Sequence, residues 1–172
     1  MTLDRAIEAL TQSRRDMLAA VAGLEDPHFG EAPAGAWSAS QIVQHVARGE
    51  QGTIRGLRLV AAGKHRIEDR WDDPFRRLAW RLRLDRFVRV RAGQALSPEQ
   101  SLPRAETLAM SDAVRSELLA MLTGPDAAKL VAARFRHFVF GPFPMPQFVH
   151  FLSEHEQRHR RQVDRLRATL GR

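Results

Sequence analysis

The chain has 172 residues, 44% of them hydrophobic, and a formal net charge of +7, enough apolar material for one compact domain over residues 1–172 with a real core. It contains no cysteine, which excludes disulfides, thiolate metal ligands and cysteine nucleophiles, so any metal site must be built from His, Asp or Glu. No apolar run approaches the roughly 18 residues that a membrane span needs, and the N-terminus lacks the charged start and apolar core of a secretory signal, so a cytoplasmic protein without a membrane partner is expected.

Leu3, Ile7, Leu10, Met17, Val21 and Leu24 recur mostly three and four apart, which predicts a first amphipathic helix ending near Glu25-Asp26-Pro27. Arg14 interrupts its stripe. After a polar loop with Gly30, Pro33 and Gly35, the run Ser38-Ala39-Ser40-Gln41 reads as a capping box, with Trp37 placed to pack on Ile42 as a hydrophobic staple. The second helix then carries Ile42, Val46, Thr53, Leu57 and Val60 on one face, with His45 on its edge. Gly49, Gly52 and Gly56 lie beside His45 at helical spacing. Interior helical glycines are costly, and close helix approach is the favoured explanation over room for a ligand.

Residues 61 to 103 fit strand and helix patterns equally well and read as a long connection with short elements. Within it, residues 76 to 91 carry seven Arg and one Asp. The segment 158 to 172 is also basic, with six Arg and one Asp. Because only two lysines occur among all the basic residues, this looks like a coding preference for Arg more than a polyanion surface, and nucleic acid is the less favoured partner.

A third helix is predicted from Arg104 to Thr123, carrying Leu108, Val114, Leu118 and Met121, entered after Pro103 and stopped by Gly124-Pro125. The Gly/Pro-rich stretch 141–146 breaks any preceding element and leaves Pro146 in the first turn of a fourth helix that runs to about Leu170. Four amphipathic helices around one core predict an all-α four-helix bundle, with the long connection between helices two and three.

The fourth helix presents Phe148, Leu152, His155, His159, Gln162, Leu166 and Leu170 on one face, so two imidazoles stand where a core residue is expected. Burying such rings is costly unless each nitrogen has a partner, and a shared divalent cation satisfies a pair. In a bundle, His45 on the facing helix can complete the set. Three imidazoles with one vacant position make a catalytic type of site, whose metal the sequence does not select.

His155, Glu156 and His159 also spell H-E-x-x-H, the zinc metalloprotease pattern, but the few residues after His159 offer no His or Glu as third ligand. Glu156, about 100° around the helix from His155, is expected to face solvent rather than act as general base. Gln162 continues the histidine face and is placed either to bond a ligating imidazole or a bound water, or equally to pair its amide with backbone. Glu50 is not on the His45 face and is not assigned as a ligand. His28, His65, His137 and His150 have ordinary surface or packing roles, and no catalytic residue is assigned.

Trp37-Ser38 followed by Gln41-Ile42-Val43-Gln44-His45-Val46, then Arg136-His137-Phe138-Val139-Phe140-Gly141-Pro142, then His155-Glu156-Gln157-Arg158-His159-Arg160-Arg161-Gln162 together resemble the DinB-like (DinB/YfiT-like) superfamily, over nearly the whole chain. The resemblance implies a metal-binding four-helix bundle with His45, His155 and His159 as ligands, Zn or Ni being the favoured ions, and a homodimer. It also implies activities such as bacillithiol or mycothiol transfer and mycothiol-dependent isomerisation. The resulting expectation is a metal-dependent enzyme of transferase or hydrolase type, activating water or a low-molecular-weight thiol toward a small-molecule substrate. The competing expectation is a non-catalytic metal-binding or structural bundle.

Overall fold

A computed structural model describes residues 1–64, 96–137 and 141–170, with the side chains of 135–142 outside the description. The described elements are helix α1 (Leu3–Ala22), the short α2 (Asp26–Gly30), α3 (Ala39–Ala61), α4 (Arg104–Thr123), the short α5 (Ala127–Ala132), strands β1 (Arg134–His137) and β2 (Gly141–Pro144), and α6 (Met145–Leu170).

Local chemistry accounts for the helix ends. At α1, the Thr2 hydroxyl accepts from the Arg5 amide, so one of the unpaired first-turn donors is satisfied. The expected capping box opens α3: the Gln41 amide donates to the Ser38 hydroxyl at 3.1 Å, and the Ser38 amide donates back to Gln41 Oε1 at 3.0 Å. Gly63, with φ of 66°, closes it, and its amide and that of Lys64 return to the carbonyls of Val60 and Leu59. Pro146 sits in the first turn of α6, where its missing N–H has no helical acceptor to lose.

Arg104 ties three helices together. From the start of α4 its guanidinium donates to the carbonyls of Val21, in the last turn of α1, and Leu24, just past it, and to Asp26 of α2, while lying 4.7 Å over the Phe29 ring.

The four long helices form a bundle of two parallel pairs set antiparallel to each other. Contacts advance together along α1 and α6, from Ser13–Glu156 through Asp16–Gln157 to Gly23–Arg167. They also advance together along α3 and α4, from Ser40–Thr107 through Glu50–Arg115 to Arg58–Glu117. The parallel α3–α4 pair is what a long connection between the second and third long helices permits.

Among the described residues the core divides into two apolar clusters. One gathers Ala6, Leu10, Ile54, Leu57, Leu118, Leu122, Val149 and Leu152; the other gathers Met17, Val21, Phe29, Ile42, Val46, Val163 and Leu166. Trp37 packs against the second cluster, which contains Ile42, as the staple requires. Between α5 and α6, β1 and β2 pair antiparallel, Arg134 opposite Pro144 and His137 opposite Gly141. The pattern of Gly and Pro in 141–146 concealed this hairpin, since both residues are depleted in ordinary strands.

Candidate metal centre

His45 from the first half of α3 meets His155 and His159 from the middle of α6. Ring centroids are 5.3 Å apart for His45–His155, 4.6 Å for His45–His159 and 4.5 Å for His155–His159. One ring nitrogen from each lies within 4.8 Å of the others, and among the described residues this is the one such His/Asp/Glu group.

The outward nitrogens are held by acceptors. His45 Nδ1 donates to the Leu96 carbonyl at 2.9 Å, and His159 Nδ1 donates to Gln162 Oε1 at 2.7 Å. With the proton fixed on Nδ1, each ring keeps a lone pair on Nε2, the arrangement found around ligating imidazoles. His155 Nε2 lies 3.1 Å from His159 Nε2. Two nitrogens about 2.0–2.1 Å from a tetrahedral ion stand about 3.4 Å apart, so the pair fits a shared cation after a small adjustment.

Charge state agrees with this geometry. Burial pushes His159 from 6.5 down to about 3; His45 and Arg158 act in the same direction, against the Gln162 bond. Burial also lowers His45, against the raising effect of the Leu96 bond and with Arg48 and Arg158 reinforcing it. Both rings are therefore neutral at pH 7, the form that binds metals.

The chain between Leu96 and Leu102 forms the wall behind His45. Arg48 donates to the Ser97 carbonyl, Gln44 to the Gln100 carbonyl, and Ser40 to the Leu102 carbonyl. These bonds hold the returning connection along the first half of α3. Trp37 lies against His45 with centroids 4.9 Å apart, and Phe151 stacks on His155 at 6.1 Å. His45 and His159 are buried, while His155 is partly exposed and gives the site a side of approach.

Glu156 corrects the expectation that it faces solvent: it is 0% exposed. It belongs to a closed ring of four charges, one from each long helix. Arg14 of α1 contacts Glu50 at 3.4 Å and Glu156 at 3.2 Å, and Arg115 of α4 contacts both Glu50 and Glu156, the latter at 2.9 Å. Arg14 Nε and Glu156 Oε1 face each other as an ion pair without a well-directed hydrogen bond. Ser13 donates to Glu156 at 2.5 Å, Arg14 donates to Ser111, and Arg115 also donates to the Leu10 carbonyl. Burial opposes the charge of Arg115, but the bonds and charges of Glu50 and Glu156 outweigh it and hold its pKa above the usual arginine value.

With both carboxylate oxygens engaged by Ser13, Arg14 and Arg115, Glu156 is not placed as the water-activating base that the H-E-x-x-H pattern calls for. The expectation of close helix approach is corrected at Gly49 and Gly52. A Cβ on Gly49 would meet nothing within 4 Å and one on Gly52 only the Arg55 guanidinium at 3.8 Å, so no described helix needs glycine at these two positions. His150 stays outside the histidine cluster, 3.8 Å from Glu154, and His28 lies in α2. His65 and the side chain of His137 fall outside the described residues.

A family model described as the DinB superfamily matches residues 9–163. The chain belongs to the DinB superfamily. Among solved structures, it is similar to TT2238, described as a four-helix bundle protein, with a TM-score of 0.62 and 24% identity over 94% of this chain and 98% of that one. At this identity the likeness speaks for the fold. No curated protein is significantly similar to the chain. DinB membership and the three-histidine group together fit a metal-binding protein. No described helix is long and apolar enough to cross a membrane.

Proposed function

We propose that this DinB protein is a metal-dependent enzyme in which His45, His155 and His159 hold a divalent transition metal, Zn or Ni being favoured. A low-molecular-weight thiol or water would then attack a small-molecule acceptor, in a transferase or hydrolase type of reaction. The observation that carries the reading is the convergence of three ring nitrogens within 4.8 Å while Nδ1 of two rings is tied to Leu96 and Gln162. When bound, such an ion supplies Lewis acidity that lowers the pKa of a thiol or water.

The chain's own residues supply the rest. The Leu96 carbonyl and the Gln162 amide fix the tautomers and aim the rings, and outer partners of this kind commonly set metal affinity. Trp37 and Phe151 shield His45 and His155 with apolar surface, which strengthens electrostatic interactions within the site. The space beside Gly49, one turn beyond His45, lies on the same side of α3 as the site and offers room for part of a substrate.

Elemental analysis of untagged protein, comparing wild type with His45→Ala, tests the proposal. About one equivalent of transition metal in wild type and none in the variant is expected, followed by screening for thiol transfer and hydrolysis. Wild-type protein that stays metal-free after reconstitution would leave the histidines as core polar residues and end the enzymatic reading.

A further inference from the structure

We infer that the Arg14–Glu50–Arg115–Glu156 ring sets the register of α3 against α6, and so the span between His45 and the His155–His159 pair. The four charged side chains are then positioning residues for the cation site, and the inference rests on the reading of that site given above.

Sequence places the ring directly against the site. Glu156 follows His155 and precedes His159 by one turn; Glu50 lies five residues beyond His45, roughly 7.5 Å along α3 at about 1.5 Å per residue. Each glutamate touches both arginines and each arginine touches both glutamates. Neither α3 nor α6 can therefore slide or turn without breaking contacts to α1 and α4 at once. A one-residue slip of α6 shifts it by about 1.5 Å and 100°, whereas metal ligands tolerate errors of only about 0.2 Å.

The apolar clusters on either side do not have this directional property. Hydrophobic burial is non-directional and tolerates small repacking, while charge-assisted bonds from a planar guanidinium fix both distance and angle. On α1, α3 and α6 the ring residue falls between members of the two clusters: Arg14 between Leu10 and Met17, Glu50 between Val46 and Ile54, and Glu156 between Leu152 and Val163; on α4, Arg115 lies between Val114 and Leu118 of the first cluster. Buried ion pairs are poor sources of stability compared with apolar residues of the same volume, and fixing register is their best-attested use. With two positive and two negative members the ring is neutral in sum, so it offers no net counter-charge for a cation. Its contribution is geometric.

The test compares wild type with the quadruple variant Arg14→Met, Glu50→Leu, Arg115→Met, Glu156→Leu in the full chain. Co(II) serves as the probe, read by its dissociation constant and visible ligand-field absorption, alongside thermal unfolding of the metal-free proteins. The expected result is a quadruple variant that unfolds at or above the wild-type temperature yet binds Co(II) at least about ten-fold more weakly, with an altered absorption band. A folded quadruple variant with wild-type affinity and spectrum overturns the inference. Should that variant not fold, Arg115→Lys keeps the charge but cannot bridge Glu50, Glu156 and the Leu10 carbonyl together. Weaker Co(II) binding in Arg115→Lys supports the positioning role, and unchanged binding overturns it. Wild-type protein that binds no better than His159→Ala removes the cation site and this inference with it. Tight wild-type binding with indifferent ring variants removes the ring inference alone.

Discussion

Arg115→Met isolates what happens when one member of a buried charge ring is removed. The substitution retains apolar bulk but takes away the guanidinium that bonds Glu50, Glu156 and the Leu10 carbonyl. Glu50 keeps only its 3.4 Å contacts with Arg14 as a charge partner in the ring, and two carboxylates then share one arginine in a dry interior. Breaking a buried pair by removing one partner costs about 3–5 kcal/mol. That is a large part of the roughly 5–15 kcal/mol that holds a domain together, and at about 2–4 °C per kcal/mol for this size it lowers the melting temperature by roughly 6–20 °C. Urea unfolding of Arg115→Met, Glu50→Leu and the double variant, all metal-free, measures it as a double-mutant cycle. The double variant should be less destabilised than the sum of the singles by roughly 1–3 kcal/mol, because removing Glu50 relieves the excess negative charge. A single variant losing under about 1 kcal/mol, or singles that simply add, would refute the account of the ring as a coupled unit.

Metal-free protein should lose stability as pH falls from about 6.5 to about 3, because His159 stays neutral in the fold until about 3 while the unfolded chain takes up its proton near 6.5. The loss attributable to this residue is a few kcal/mol, and acid titration of unfolding free energy should show a shallower slope in His159→Gln. Gly49→Ala should stabilise the protein by about 1 kcal/mol, since the added methyl has open space and alanine is the better helix former. Denaturant unfolding that shows Gly49→Ala to be destabilised would mean that this face of α3 is closely packed.

Much of the fold was legible because its signals are local. The Ser38–Gln41 box, Pro103 and Gly124 around α4, and Pro146 in the first turn of α6 are set by backbone donors and acceptors within a turn of each residue. The histidine cluster was legible for a related reason: His155 and His159 share a turn, and the stripe of α3 leaves His45 on its inner edge. The Gln162 bond to His159 was one of the two roles that helical spacing allowed it. Glu156 did not, because the reason it is inside lies on other helices. One helix's period cannot show that Arg14 and Arg115 stand opposite. A trace was present nonetheless, since Glu50 continues the stripe of Val46 and Ile54, and Arg14 interrupts that of α1. Two acidic and two basic residues at core positions are a matched set only when all four helices are considered together. The hairpin was hidden for another reason: Pro142 and Pro144 remove strand donors, yet the segment still pairs with the nearby backbone of 134–137.

The acceptor that orients His45 is a main-chain carbonyl, that of Leu96, and its neighbours Ser97, Gln100 and Leu102 dock on α3 through their carbonyls too. A peptide oxygen persists whatever side chain the codon specifies, so substitutions at these four positions leave the acceptors themselves in place. A change in length is different. Inserting or deleting one residue between Ser97 and Leu102 would move the spacing of four acceptors by about 3.3 Å against fixed donors on α3. At these four positions composition matters less to the acceptors than the residue count does, which makes chain length the tighter specification of this part of the site.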